Sequence, residues 1–278
     1  MPELPEVQTV INILNNSNII NIPIVSVKIL KTKLLKNSTP KNFDNFVNNE
    51  RIIKFERVGK YIKCILTNDK ILLIHLRMEG KLFCEKFNYI NNEFHNYLRL
   101  SIKFNNSYSL NYYDSRIFGT FHIYTSSTLL NSKELNNVGV DALSDKFDAH
   151  YLFKITSKSK KYIKTFIMTQ NNIAGIGNIY ADEILFASKI SPLAKANTIT
   201  FEQCNGIVLS TKKILNEAIK KGGTTFSSFA SDNKHIGEYQ SKLKVYGRDG
   251  HKCYSCGSII KKIKLNGRGT CYCSHCQK

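Results

Sequence analysis

Met1-Pro2-Glu3-Leu4-Pro5-Glu6 opens the chain and gathers a secondary amine and two carboxylates within six residues. Methionine aminopeptidase removes an initiator Met that precedes a small residue, so the expected working N-terminus is the nitrogen of Pro2. An α-amino group titrates near about 7.7–8.0 and a lysine near about 10.4, so far more of the former is free base at neutral pH. Only the free base attacks carbon. Val7, Val10, Ile11 and Leu14 follow at helical spacing, which predicts a helix with Pro5 in its first turn and the amine at its positive end. Glu3 and Glu6 then stand where they can move protons beside the nucleophile. Taken alone, Pro and Glu are also ordinary first-turn residues.

Outward from this helix the pattern turns to strands. Residues 22–35, 51–66, 70–78 and 97–104 are rich in β-branched and apolar residues, and Leu98, Leu100, Ile102 and Phe104 alternate with polar neighbours. Asn105-Asn106-Ser107 reads as a hairpin turn into 108–113, and 118–124 supplies another strand. Short antiparallel strands behind one leading helix predict a β-sandwich over residues 1–137. From Asp148 the pattern is helical, and residues 149–181 hold five lysines and no acid. Thr200 with Gln203 forms a capping-box signature for a helix that Gly222-Gly223 must end. The expected second domain is therefore 138–278, helical, with a metal-binding hairpin at 244–278.

The chain of 278 residues carries 40 Lys+Arg against 21 Asp+Glu, a net charge of +19. That balance favours a polyanionic partner over a neutral metabolite, and without a long apolar run nucleic acid fits better than a membrane. The expectation is an intracellular protein, in the bacterial cytoplasm and monomeric by default, since there is no signal peptide and no heptad seam.

Of eight cysteines, four form Cys253-x2-Cys256-x16-Cys273-x2-Cys276. Two CxxC turns bring four thiolates into a tetrahedron, which predicts one structural Zn2+ with no ligand position left open for substrate. Cys271 and His275 lie within the cluster as alternative ligands. The segment from His251 onward has six Lys/Arg and no acid, with Arg268 in Gly267-Arg268-Gly269-Thr270 between the CxxC pairs. Gly175-Ile176-Gly177-Asn178 lacks the strand and ribose acid of a dinucleotide fold and reads as a tight helix–helix turn.

The opening Pro-Glu-Leu-Pro-Glu-Val, the Gly-Ile-Gly-Asn turn and the Gly-Arg-Gly-Thr turn together resemble the formamidopyrimidine-DNA glycosylases, the bacterial-type enzymes for oxidised purines. The resemblance implies a bifunctional DNA glycosylase and apurinic/apyrimidinic lyase that excises 8-oxoguanine and formamidopyrimidines from damaged double-stranded DNA. In such an enzyme Pro2 attacks C1′, Glu3 protonates the sugar ring, Glu6 is a supporting acid, and the phosphates leave by β,δ-elimination without a small-molecule cofactor. Lys60, in Val58-Gly59-Lys60-Tyr61, matches the lysine that contacts the phosphate beside the lesion. Met78 and Arg116 match residues that enter the hole left by the extruded nucleotide, and Phe118 matches the wedge between bases. Asn178 and Arg268 match phosphate contacts, and Thr224 and Thr225 match the start of the loop over the flipped base. Ile117 stands where the family usually has a second basic residue, which implies one phosphate contact fewer. The endonuclease VIII branch, which removes oxidised pyrimidines, and a non-catalytic zinc-containing DNA-binding protein are the alternatives.

Overall fold

A computed structural model describes residues 1–87, 94–224 and 237–278. Two compact units divide the chain, one holding Met1–Asn136 with Thr224, the other Asn137–Gly223 and Glu238–Lys278.

In the first unit, helix α1 (Leu4–Asn15) starts where Pro5 occupies its first turn, as the sequence predicts, and buries Leu4, Val7, Val10, Ile11 and Leu14. Each such side chain taken from water is worth roughly 1.5–3 kcal/mol before entropy is counted. Strand β1 (Ile24–Ile29) follows, then helix α2 (Pro40–Val47), which the strand-like reading of 22–35 and the gap after it did not anticipate. Its signal was nonetheless present: Thr39 accepts from Asn42 N at 3.2 Å, and Pro40 opens the helix. Strands β2 (Ile52–Val58), β3 (Tyr61–Leu66), β4 (Lys70–His75), β5 (Lys81–Lys86), β6 (Leu98–Phe104), β7 (Tyr108–Tyr113) and β8 (Thr120–Thr125) complete the sandwich, followed by short helices α3 (Ser126–Leu130) and α4 (Lys133–Asn136).

One sheet runs in the order β2-β3-β4-β8 and the other β1-β6-β7-β5, every neighbour antiparallel. The continuous apolar stretch 51–66 is not one strand but a hairpin. Val58 pairs with Tyr61, and Gly59 takes a φ of 58° at the first position of the two-residue turn, a conformation that strains a residue with a Cβ. Ile62, Cys64, Leu72, Ile74, Leu82, Leu100, Ile102, Leu110, Tyr112 and Phe121 fill the core together with the apolar side of α1. The expected β6–β7 hairpin is present, with Ser107 at φ 64°.

The second unit has a short parallel pair, β9 (Val140–Asp141) with β10 (Ile173–Ala174), and helices α5 (Ala149–Thr156), α6 (Ile163–Ile167), α7 (Asn178–Ala187) and α8 (Phe201–Lys220). Asp148 caps α5 by accepting from Tyr151 N at 2.7 Å. The predicted Thr200–Gln203 box caps α8, with reciprocal bonds of 3.2 and 3.0 Å. Its other end stops at Gly222 and Gly223, at φ 71° and 80°. The antiparallel hairpin β11 (Lys261–Leu265) and β12 (Arg268–Tyr272) carries the cysteine pairs at its base. This architecture is the one the sequence predicts: a β-sandwich with a leading helix, and a helical domain with a metal-binding hairpin. Among the described residues no helix is long and apolar enough to cross a membrane.

Candidate active site and nucleic-acid interface

The N-terminal residues are buried against the sandwich, although Met1 itself is 42% exposed. Pro2 is buried, Glu3 is 3% exposed and Glu6 4%. Glu6 organises the corner. Its Oε2 accepts from Glu3 N at 2.9 Å, and its Oε1 accepts from Thr224 N at 2.9 Å and Thr224 Oγ1 at 3.1 Å. The carboxylate thus fixes the start of α1 and ties Thr224 to it, a positioning task the sequence does not display. Thr225 lies outside the described residues.

Lys60 is 5% exposed at the β2–β3 turn. That turn is fastened to α1 through Arg57, whose Nε donates to Gln8 Oε1 at 3.0 Å and whose Nη1 donates to Gly59 O at 3.2 Å. The α-amine of Met1 feels Glu3, Glu6, Lys60 and Glu79 together; burial, its largest influence, outweighs the carboxylates and lowers its pKa below the ordinary amino-terminal value.

Two loops stand over this corner. Arg77 and Ile117 both take left-handed backbone conformations, at φ 56° and 55°. Such φ values cost non-glycine residues of order 1–3 kcal/mol, most for a β-branched one, and persist only where the surroundings enforce them. Next to them Met78 and Phe118 are 36% and 46% exposed, so two large apolar side chains are held in solvent. Ser115 Oγ donates to Glu79 and joins the two loops. The Arg116 guanidinium lies over the Phe118 ring at 4.6 Å. A hollow of about 460 Å3 is lined by Met1, Lys33, Lys36, Arg77, Met78, Ile117, Phe118 and Thr120. The structure therefore collects the N-terminus, Met78 and Phe118 around one cavity, with Arg116 on its rim.

The loop bearing Arg116 and Phe118 is shaped by Asp114, which sequence reading passed over. Its buried carboxylate accepts from Arg116 N at 3.0 Å, Phe118 N at 3.0 Å, Gly119 N at 2.9 Å and Tyr112 Oη at 3.0 Å. A Cβ at Gly119 would meet Tyr112 Oη at 1.7 Å, so only glycine lets the loop close on that hydroxyl. An Asp at a strand end before a Ser-Arg pair was the available signal. His75 was also missed as a support: its Nδ1 accepts from Arg77 N at 2.9 Å, and burial pulls its pKa down to about 3, so the ring is neutral.

In the second unit Asn178 opens α7, and its Oδ1 is buried with no hydrogen-bond partner among the described residues. The backbone amides of a helix N-terminus donate readily to a phosphate group, and the Asn178 side-chain amide can donate to one through its NH2. Further along the same helix, Asp182 and Lys164 form a buried ion pair at 2.8 Å. Lys164 Nζ also donates to Thr270 Oγ1 at 2.8 Å and Gly269 O at 3.0 Å, and Asp182 Oδ2 accepts from Cys271 N at 2.9 Å. Glu183 accepts from the amides of Lys244, Val245 and Tyr246 at 2.8–2.9 Å. Asp182 and Glu183 thus grip the hairpin from two sides and set Arg268 in a fixed relation to Asn178. Burial raises both carboxyl groups, Asp182 to about 7, against the pull of Lys164 and the backbone donors.

Cys253, Cys256, Cys273 and Cys276 place their sulfurs within 4.8 Å of one another, with Cys256–Cys273 at 3.4 Å and Cys253–Cys276 at 3.9 Å. Thiolates tetrahedral about zinc at ~2.3 Å stand about 3.8 Å apart, so the set fits one Zn2+ held by four cysteines. Cys271 and His275 are outside it; Cys271 is turned toward Asp182 through its amide. The zinc is structural, because all four positions are taken.

Sequence comparison assigns residues 1–121 to the formamidopyrimidine-DNA glycosylase N-terminal domain, 138–230 to the formamidopyrimidine-DNA glycosylase H2TH domain and 250–278 to the zinc finger found in FPG and IleRS. The formamidopyrimidine-DNA glycosylase of Ureaplasma parvum serovar 3 is 43% identical over 277 residues, covering 100% of both chains. That of Mycoplasma pneumoniae is 43% identical over 278 residues, covering 100% of this chain and 99% of its own. Among solved structures, Lactococcus lactis Fpg (MutM) bound to DNA containing N7-benzyl-Fapy-dG superposes with a TM-score of 0.92 at 32% identity, with 100% of each chain covered. The same enzyme bound to DNA with an abasic site gives 0.91 at 32% identity and 99% coverage of each. Profile, relatives and fold agree over the whole length, and the chain belongs to the formamidopyrimidine-DNA glycosylase family.

Proposed function

We propose that this protein is a bifunctional DNA glycosylase and abasic-site lyase acting on oxidised purines in duplex DNA. The observation that carries the reading is the burial of Pro2, Glu3, Glu6 and Lys60 behind a cavity lined by Met1, Met78 and Phe118, with the carboxylates and Lys60 close enough to influence the terminal amine. Removal of Met1, which lines the cavity, frees the Pro2 secondary amine. Its lone pair forms a bond to C1′ of the damaged nucleotide while the bond from C1′ to the base breaks and the base leaves with a proton. Glu3 supplies the proton to the ring oxygen as the sugar opens, giving an iminium. The iminium acidifies the C2′ proton, whose loss expels the 3′ phosphate; a second elimination expels the 5′ phosphate, and water releases Pro2. Glu6 holds Glu3 in place, and Lys60 neutralises the phosphate next to the lesion.

A base must leave the stack before C1′ is reached. Met78 fills the vacated space, Phe118 wedges the neighbouring step, and Arg116 reads the orphaned base with its forked donors. Asn178 and Arg268 bind backbone phosphates, and the zinc gives the hairpin that carries Arg268 its shape. Thr224 and Thr225 begin the segment that meets the flipped base. The formamidopyrimidine lesion in the Lactococcus lactis complex supports the purine branch. Borohydride reduction tests the proposal: incubated with abasic-site duplex and borohydride, the protein is expected to form a covalent adduct at its N-terminal residue. A protein that cleaves without any reducible adduct is not working through an amine.

A further inference from the structure

Part of the lining of the hollow is basic, and it has no part in the residue roles given above. Lys33 and Lys36 line it with Arg77, and among the described residues no acidic one does. Both lysines are exposed, yet the segment that carries them is fixed. Leu35 bridges to Phe121 in parallel fashion, Lys36 N donates to Phe121 O at 3.1 Å, and Asn37 exchanges two side-chain bonds with the backbone of Ile123, at 2.8 and 3.0 Å. The segment is thus stapled along β8 like a short extra strand. Lys36 Nζ reaches back to Lys33 O at 2.7 Å, which keeps the two ammonium groups on the same turn. Thr120 also lines the hollow; it is 6% exposed, and its Oγ1 is buried without a hydrogen-bond partner among the described residues. Buried hydroxyls are nearly always paired, and a hydroxyl can donate as well as accept, so Thr120 can serve an acceptor brought into the hollow.

Ile117 lines the same cavity and occupies the place where the family resemblance expects a second basic residue. The same cavity carries Lys33 and Lys36 from a different segment of the chain.

We infer that Lys33, Lys36 and Thr120 form a phosphodiester-binding wall that takes a backbone phosphate of the bound DNA and supplies the contact that Ile117 cannot make. The inference rests on the DNA-processing reading proposed above. Three cations around one hollow with a hydroxyl among them suit an oxyanion bearing several acceptors, and an apolar or cationic ligand would leave that charge uncompensated.

The test is the salt dependence of full-length protein binding to an undamaged duplex, with borohydride trapping on abasic duplex as the parallel readout. Lys33→Ala with Lys36→Ala should flatten the slope of log K against log salt by about one to two units, one for each phosphate released. The pair Lys33→Arg with Lys36→Arg should restore it. Thr120→Val should weaken binding by roughly 10-fold at every salt concentration with the slope unchanged, since it removes a hydrogen bond and no charge. Ile117→Lys should steepen the slope by about one unit. If the wild type binds and traps while the double alanine variant keeps the wild-type slope, the inference falls and the proposed function stands. If binding weakens with no change in slope, the lysines are structural supports and the inference falls again. A wild type that neither binds duplex nor traps would remove the function and this inference with it.

Discussion

The N-terminal corner and the zinc hairpin are both held by buried carboxylates, but to different ends. Glu6 holds the start of α1 and Thr224 through backbone and hydroxyl donors. Asp182 and Glu183 engage a buried lysine and four backbone amides to immobilise a hairpin that performs no chemistry. The comparison teaches that both regions are held by contacts distant in sequence, Glu6 reaching Thr224 at a separation of 218 residues and Glu183 and Asp182 reaching residues 61 and 89 positions on. They differ in the groups held: a single hydroxyl-bearing residue beside the start of α1, against a run of backbone amides and a buried lysine at the hairpin. Damage to the first should cost rate, and damage to the second affinity.

The largest expected effect follows from removing the proton donor. Glu3→Gln should lower base excision by roughly 10²–10⁴-fold, with preformed abasic sites cleaved closer to the normal rate. Single-turnover assays on lesion and abasic duplex measure the two steps separately; equal losses would mean Glu3 acts elsewhere.

Next comes the clamp. Asp182→Ala leaves Lys164 buried without its counter-charge and should destabilise the second unit by about 3–5 kcal/mol, with weaker duplex binding. Denaturant unfolding measures this. The same change should leave the N-terminal amine able to trap at saturating DNA, which sharpens the contrast between the regions; equal loss of trapping would blur it. Cys253→Ser or Cys276→Ser should act like the clamp variant on affinity and reduce zinc content below one equivalent by metal analysis.

Arg116→Ala should reduce discrimination of the opposite base by about 1–3 kcal/mol while sparing cleavage of an abasic site. Excision opposite cytosine and opposite adenine gives the ratio. The smallest effect is expected at the hairpin tip, where Arg268→Ala should flatten the salt slope of duplex binding by about one unit.

The difference between the regions also governs what could be read from the sequence. The zinc ligands declare themselves through CxxC spacing, and the sandwich through alternation such as Leu98 to Phe104, because both patterns are local and periodic. The start of α1 at the N-terminus was legible for the same reason, its Pro5 and its apolar spacing lying in consecutive turns. Asp114, Lys164 and Asp182 were not, since a lone Asp or Lys looks alike on a surface and in a core, and their partners come from other elements. Gly119 and the strained Ile117 belong to the same class: their constraint is a Tyr112 hydroxyl and a loop closed around a carboxylate. Helix α2 is a different case, a cap signal at Thr39-Pro40 outweighed by its β-branched surroundings.

The central claim is that the nucleophile is the Pro2 amine, and it is tested most directly by keeping that nitrogen acylated. In protein verified by mass spectrometry to retain Met1, Pro2 nitrogen is part of a peptide bond whose lone pair is delocalised, so it cannot attack C1′. Borohydride trapping on abasic-site duplex should then be abolished while duplex binding persists, and the Met1-free protein should trap fully. A Met1-retaining protein that forms the reduced adduct at the normal rate would place the nucleophile elsewhere, with Lys60 the first candidate, and would contradict the account.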